Sequence, residues 1–280
     1  MTRLRPDHIS GLGPDLHDYD RELHKKTGCS LKELALQASG LSEHEFALKV
    51  RDSLWAIVPM TSGQGVITGF SEAVGHILTY LGCPAQITSC PDLAGFAQAF
   101  QARADFIVCA DDNDFICLNL RTRSVVHNNL ATAKGYVAAL TRHVQTIGGT
   151  ILVLGCGRIG QAALAEILAQ GFQAAVLDPD RAKVDAWYRT IPAQYREAVH
   201  ILKTFPPNLD GYVGVLDATP VPDIIDPEQI HPNLVIAAPG VPLGVCTVGL
   251  EQVKDQVVHD PLQIGVAVMV TMSLALNPEP

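Results

Sequence analysis

Positive charge is scarce in this sequence: 20 Lys and Arg stand against 29 Asp and Glu, for a formal net charge of −9, and no basic run is longer than His24-Lys25-Lys26. Binding to a polyanion leans on neutralised phosphates, so this balance argues against nucleic acid and anionic membrane surfaces as partners. Paired cysteines are missing too. The seven present, at positions 29, 83, 90, 109, 117, 156 and 246, are odd in number and never spaced Cys-x-x-Cys. That pattern speaks against a disulfide framework and a zinc site, and fits a reducing cytoplasm. The longest apolar stretch, Ile264 to Leu276, is too short to span a bilayer, and the polar N-terminus lacks the apolar core of a signal peptide. A cytoplasmic protein is expected, acting on a small molecule, with a homodimer as the candidate assembly.

What remains is a chain of 280 residues, 48% hydrophobic and 18% charged, which can bury the cores of two modest domains. Residues 1–55 carry helical periodicity broken at Ser39-Gly40 and read as a helical cap or lid. From Ala56 short apolar runs alternate with helical spans, which predicts a small α/β domain over 56–148 with a parallel sheet covered on both faces. The runs Phe115–Leu120 and Ser124–His127 follow each other with short turns and should form antiparallel edge strands. A helix from about Ala131 to Ile147 is expected to bridge to the second half. There, over 149–280, six strand signals interleaved with helices match a Rossmann-type, doubly wound dinucleotide-binding domain. A final apolar helix, Gly265 to Leu276, is left to pack back on the first domain.

The strongest local signal is Ile151-Leu-Val-Leu-Gly155-Cys156-Gly157-Arg158-Ile159-Gly160, a buried strand running into Gly-x-Gly-x-x-Gly at the start of a helix. Gly155 permits the tight turn, Gly157 lets backbone approach a pyrophosphate, Gly160 allows close helix–strand packing, and the helix N-terminus offers free amides to phosphate. A second strand follows and ends at Asp178, where a carboxylate suits the adenosine ribose hydroxyls and repels a 2′-phosphate. NAD is therefore the expected cofactor, with Arg181 as the one residue that would accommodate NADP. Later strand ends at Asp217-Ala-Thr219-Pro220 and Ala237-Ala-Pro239 should border the nicotinamide, with Thr219 and Pro239 the preferred contacts, although proline and glycine also simply end strands.

Two segments of the first half carry other chemistry. Val58-Pro-Met-Thr-Ser62-Gly-Gln-Gly65, followed by Phe70-Ser-Glu72, places hydroxyls and glycines after a strand, either to cradle a carboxylate or as ordinary turn and capping residues. Ala110-Asp111-Asp112-Asn113-Asp114 ends another strand; Asp111, nearest the buried strand, could hold or deprotonate a substrate ammonium, or the loop could be only a polar hairpin turn. Its spacing does not match a calcium loop, so no metal is expected. His127 and His259 lie at strand ends but read as structural. No Arg and His stand in the spacing of a hydroxy-acid dehydrogenase site, which turns the cofactor away from alcohols.

Together Val58–Gly65, Gly69–Glu72, Ala110–Asn113, Asn128-Asn129, Gly155–Gly160, Ala218–Pro220 and Pro239–Pro242 resemble the pyrrolysine-biosynthesis dehydrogenase family, across most of the chain from Leu4 onward. The resemblance implies an NAD-dependent amine dehydrogenase acting on lysine that carries a 3-methyl-D-ornithyl group on its ε-nitrogen. Hydride leaves the carbon bearing the terminal amine, the ornithyl α-amine attacks the resulting imine or aldehyde, ammonia departs, and a pyrroline ring closes. It further implies that Asp111 holds or deprotonates an ammonium, Ser62 fixes a polar end, Phe70 lines the substrate, Leu4 covers it from the first helix, and Asp260, where glutamate is expected in the family, meets an amino group. Two other readings keep the cofactor: a dehydrogenase or cyclodeaminase of another amino or imino acid, and an NAD(H)-sensing module without turnover.

Overall fold

The computed structural model describes residues 9, 16–142, 144 and 148–277. Three helices come first: α1 (Leu16–Thr27), α2 (Leu31–Ser39) and α3 (Glu43–Arg51). α2 and α3 start alike. The Ser30 and Ser42 hydroxyls accept the amides of Glu33 and Glu45, whose carboxylates accept the serine amides in return, so each helix satisfies two otherwise unpaired donors. Gly40 then stops α2 in the left-handed region at φ +70°. Leu31, Leu34 and Ala35 of α2 are fully buried, so this helix is part of the core rather than a loose covering.

The first sheet is built from β1 (Trp55–Val58), β2 (Ala85–Ile87), β3 (Phe106–Ala110), β4 (Phe115–Asn119) and β5 (Ser124–His127), in the order β2-β1-β3-β4-β5. β1 is parallel to β2 and β3, with α4 (Phe70–Tyr80) and α5 (Asp92–Gln101) as crossovers. β1 is buried along its whole length, as a strand covered on both faces must be. β4 and β5 are antiparallel hairpin strands, as their short connections require.

The bridging helix α6 (Asn128–Thr141) differs from expectation at its start. It begins three residues before Ala131, because His127 already holds the extended conformation of a helix cap and the polar Asn128-Asn129 pair forms the first turn rather than a loop. Residues 143 and 145–147 of the expected span lie outside the described residues. α6 is buried on nearly every side, and Gly135 is required there: a Cβ would come within 2.4 Å of Ile264.

The second sheet comprises β6 (Thr150–Leu154), β7 (Gln173–Leu177), β8 (Val199–Ile201), β9 (Gly214–Asp217), β10 (Val235–Ala238) and β11 (Val257–His259), all parallel, in the order β11-β10-β9-β6-β7-β8. The winding reverses between β6 and β9, which opens a crevice at their carboxyl ends. α7 (Arg158–Ala169) and α8 (Arg181–Thr190) follow β6 and β7. The last helix, α10 (Gln263–Ala275), after the short α9 (Leu250–Val253), packs against α6, α2, α4 and β4 and so returns to the first sheet. Among the described residues no helix is long and apolar enough to cross a membrane.

Candidate active site

The carboxyl ends of β1 and β3 face those of β6, β9 and β10 across a cleft of about 340 Å³. Its walls come from both halves: Val58–Met60, Asp111 and Asp112 on one side, Gly157–Ile159, Ala218–Pro220 and Pro239–Val241 on the other, and the start of α6 between them.

The glycine turn has the geometry its sequence predicts. Gly155 sits at φ +88° and donates its amide to Leu177 at 2.8 Å, which fastens the turn to β7. A Cβ on Gly160 would lie 1.9 Å from the Gly155 carbonyl oxygen, whereas one on Gly157 would meet nothing within 4 Å. Gly160 thus serves packing, while Gly157 opens on free space at the start of α7. Gly157 caps α7 with no side-chain hydrogen bond, so the first-turn amides remain available to an anion, and Arg158 and Ile159 line the cleft. Beneath them, Cys156 is buried, its amide donating to Asp178 Oδ2 at 2.7 Å and its thiol pushed up to about 11 by burial.

Asp178 stands at the end of β7, also accepting the Asp180 amide at 2.8 Å, with the Lys183 ammonium 3.5 Å away. Arg181, the residue suspected of admitting a 2′-phosphate, is instead paired with Asp185 at 3.0 Å. The glycine turn, the uncapped helix and the terminal carboxylate together fit a dinucleotide.

Across the cleft, Asp111 Oδ1 accepts the amides of Asn113 at 2.8 Å and Asp114 at 2.9 Å. The two donors hold its carboxyl below the usual carboxylate range, so Asp111 is an anion and a weak base. Asp112 Oδ2 accepts the Gln64 amide at 2.7 Å, joining this loop to the Thr-Ser-Gly-Gln-Gly turn. Gly63 is obligatory in that join: at φ +70°, a Cβ would fall 2.0 Å from Asp112 Oδ2. Asp114 reaches the other half, its carboxylate accepting from Arg158 at 2.8 Å while Arg158 also donates to the Asn113 carbonyl at 3.0 Å. The variable residue of the dinucleotide motif is therefore a strut to the acidic loop.

Residues 9–126 match the family described as "Pyrrolysine biosynthesis protein PylD, N-terminal domain", and relatives named pyrrolysine synthase align with almost the whole chain. The chain is thus similar to the PylD family over residues 9–126 and to pyrrolysine synthases over most of its length. The relative from Methanosarcina acetivorans is 28% identical over 269 residues, covering 96% of this chain and 98% of that one. The relative from Methanosarcina barkeri is 26% identical over 269 residues, 96% of this chain and 97% of that one. Among solved structures, the ligand-free 5-ketofructose reductase of Gluconobacter sp. strain CHM43 superposes with a TM-score of 0.51 at 13% identity, over 80% of this chain and 97% of that one. A shikimate dehydrogenase in complex with NADP+ gives a TM-score of 0.51 at 12% identity, over 80% of this chain and 94% of that one. The chain thus shares the Rossmann-type fold of these two proteins.

The cleft does not gather every residue singled out in the sequence. Asp111, Phe70, Thr219, Pro220 and Pro239 line the cleft, with Phe70 edge-to-face on Phe115 at 5.2 Å. Ser62 is exposed on the turn outside the lining, where Gly65, Val66 and Ile67 take the wall position. Asp260 does not reach the cleft. Its Oδ1 accepts the amides of Leu262 at 3.0 Å and Ile264 at 3.2 Å, its Oδ2 accepts the Tyr19 hydroxyl at 2.8 Å, and burial pushes its carboxyl up. It closes the start of α10, and Pro261 and Leu262 form the wall beside it. Leu4 lies outside the described residues. Sequence reasoning gave no role to Asn128, Asn129 and Thr132, all of which line the cleft. The Asn-Asn pair was visible, but only the helix start shows that it faces inward. Cys109 also lines the cleft, yet burial pushes its thiol to about 11, which removes it as a nucleophile.

Proposed function

We propose that this protein uses NAD to oxidise the terminal amine carbon of lysine bearing a 3-methyl-D-ornithyl group on its ε-nitrogen, giving pyrrolysine after ring closure and loss of ammonia. The observation that carries this reading is the cleft itself, which sets the Asp111 carboxylate opposite the glycine turn of the dinucleotide half. The likeness to pyrrolysine synthases supports a role in pyrrolysine biosynthesis, and the fold supports a nicotinamide dinucleotide as cofactor.

NAD, which the Gly155–Gly160 turn, the first-turn amides of α7 and Asp178 would hold, would supply the hydride acceptor. The chain's own residues do the rest by position. Asp111 Oδ1 is fixed by two amides that favour its charged form, so the carboxylate is set to anchor a substrate ammonium. The reacting amine must be neutral when hydride leaves, and the ring closes within one molecule, where held geometry replaces acid or base help. Phe70, Ile159 and Leu262 present apolar surface that excludes water from the imine. The decisive assay is NADH formation from the lysyl-methylornithine compound. Equal rates with unrelated diamines would point to a general amine dehydrogenase, and tight NADH binding with no turnover of any amine would point to a sensor.

Two further expectations concern the cofactor half. Asp178→Ala should relax the preference for NAD over NADP, because it removes the carboxylate while leaving Lys183 in place; an unaltered ratio of catalytic efficiencies would mean the ribose is read elsewhere. Arg158→Ala should leave folding unchanged, since both ends of its pair with Asp114 are exposed. Exposed pairs are worth about 0–1 kcal/mol, so Michaelis constants should rise less than about tenfold. Salt should raise them in the wild type and not in the variant.

A further inference from the structure

Among the described residues three buried side-chain atoms have no hydrogen-bond partner: Asn128 Nδ2, Asn129 Oδ1 and Asp217 Oδ2. Asp217 lies under the loop after β10, against Gly244, and does not line the cleft. The two asparagines do line it, with only 5% and 9% of their surface exposed. Buried polar atoms are nearly always paired, so two neighbours left open on one cavity wall mark a place where a ligand completes them.

The chemistry of that ligand group follows from the pair. Asn128 Oδ1 already accepts the Thr132 hydroxyl at 3.1 Å, which orients the amide and leaves Nδ2, a donor, as its unpaired atom. Gly265 packs beneath it, where a Cβ would come within 3.1 Å of Nδ2, so this side chain has little freedom to turn away. Asn129 offers an acceptor. His127 caps α6 without a side-chain hydrogen bond, so the helix start adds a partial positive field beside the donor. A neutral donor next to a neutral acceptor matches an uncharged planar group carrying both a carbonyl and an N–H. An ion would find dipoles here but no counter-charge for its lost hydration.

We propose that Asn128 and Asn129 clamp an amide of the ligand, Asn128 Nδ2 donating to its carbonyl oxygen and its N–H donating to Asn129 Oδ1, and that this is the amide joining the lysyl and ornithyl parts of the substrate. The assignment rests on the proposed pyrrolysine reaction. It gives the cleft a ruler: Asp111 holds a charged end while the asparagines fix the neutral linkage, so a free diamine lacking that linkage is rejected. The same chemistry is present in the carboxamide of a nicotinamide ring, and the experiment separates the two sources.

Wild type, Asn128→Asp and Asn129→Leu are compared as full-length protein for NADH affinity by fluorescence titration, for KM and kcat with the lysyl-methylornithine compound, and for melting temperature. Asn128→Asp keeps the acceptor for Thr132 and puts an acceptor oxygen, charged when ionised, in place of the donor. Each variant is expected to raise the KM for that compound about tenfold or more, with kcat changed less and NADH affinity within twofold. Asn129→Leu should also melt higher than wild type, because it removes an unpaired buried acceptor. Unchanged KM in both variants would overturn the clamp. So would a loss of NADH affinity matching the rise in KM, which would give the pair to the cofactor's carboxamide. A wild type that forms no NADH from the compound ends the pyrrolysine reading itself, and with it the assignment of this amide.

Discussion

Valine at position 160 is expected to cost the protein its fold, and valine at position 157 only its dinucleotide. The two glycines belong to one motif and lie three residues apart, yet their surroundings are opposite. A Cβ at Gly160 would sit 1.9 Å from a backbone oxygen of the Gly155 turn, and backbone cannot rotate aside as a side chain would. Overpacking in a core costs about 1–3 kcal/mol where side chains can adjust, so this clash should exceed that range and take up much of a marginal stability of about 5–15 kcal/mol. Gly157 has an ordinary negative φ, −78°, and nothing within 4 Å of its Cβ position. Valine fits the protein there but occupies the approach to the α7 amides. Losing two hydrogen bonds to a charged phosphate, at about 1.5–3 kcal/mol each, predicts NADH affinity lower by about a hundredfold or more. Thermal melting and NADH titration of both variants check the pair of statements. A Gly157→Val protein that binds NADH as well as wild type would refute the motif assignment.

Asp111→Asn is the second large effect. Asparagine keeps an Oδ1 for the amides of Asn113 and Asp114, so the loop and the cofactor half should be unchanged and NADH affinity with them. What disappears is the charge with which the proposed ammonium pairs. A hydrogen bond to a charged group contributes about 1.5–3 kcal/mol, hence a fall in kcat/KM of about tenfold to a hundredfold. The pH dependence has a definite sign. Because Asp111 titrates below the usual carboxylate range, its anchoring is complete at neutral pH and is lost only as pH falls through that depressed value. The rise in rate from neutral to alkaline pH should therefore follow the substrate amine, and it should persist in Asp111→Asn at a lower level. A variant with wild-type kcat/KM would free Asp111 from any role in substrate binding.

The dinucleotide half was legible because its rules are local. A buried strand, three glycines and a helix former lie within one short segment, and the six strand signals recur in the order that the parallel sheet realises. The helix α6 was misplaced at its start because asparagine has a turn propensity that tertiary burial overrides here. The substrate side was less legible. Asp111 could be named from its place after a strand, but its two amide donors, which decide between anchor and base, come from backbone geometry that composition does not encode. Asp260 illustrates the converse. A carboxylate beside a strand end reads as available to ligand, and only the placement of Tyr19, 241 residues away in sequence, and of the α10 amides shows it to be occupied.

The burial of α6 bears on what this protein can exchange. Its first turn is the floor of the cleft, and its flanks are shared by the layers on either side. The dinucleotide half is therefore not a detachable module: replacing it with another of the same winding would also replace the surface against which the floor of the substrate cleft is set. Cofactor and substrate specificity are in this chain properties of one continuous core, open to change by point substitution along the cleft and closed to recombination at the seam between the sheets.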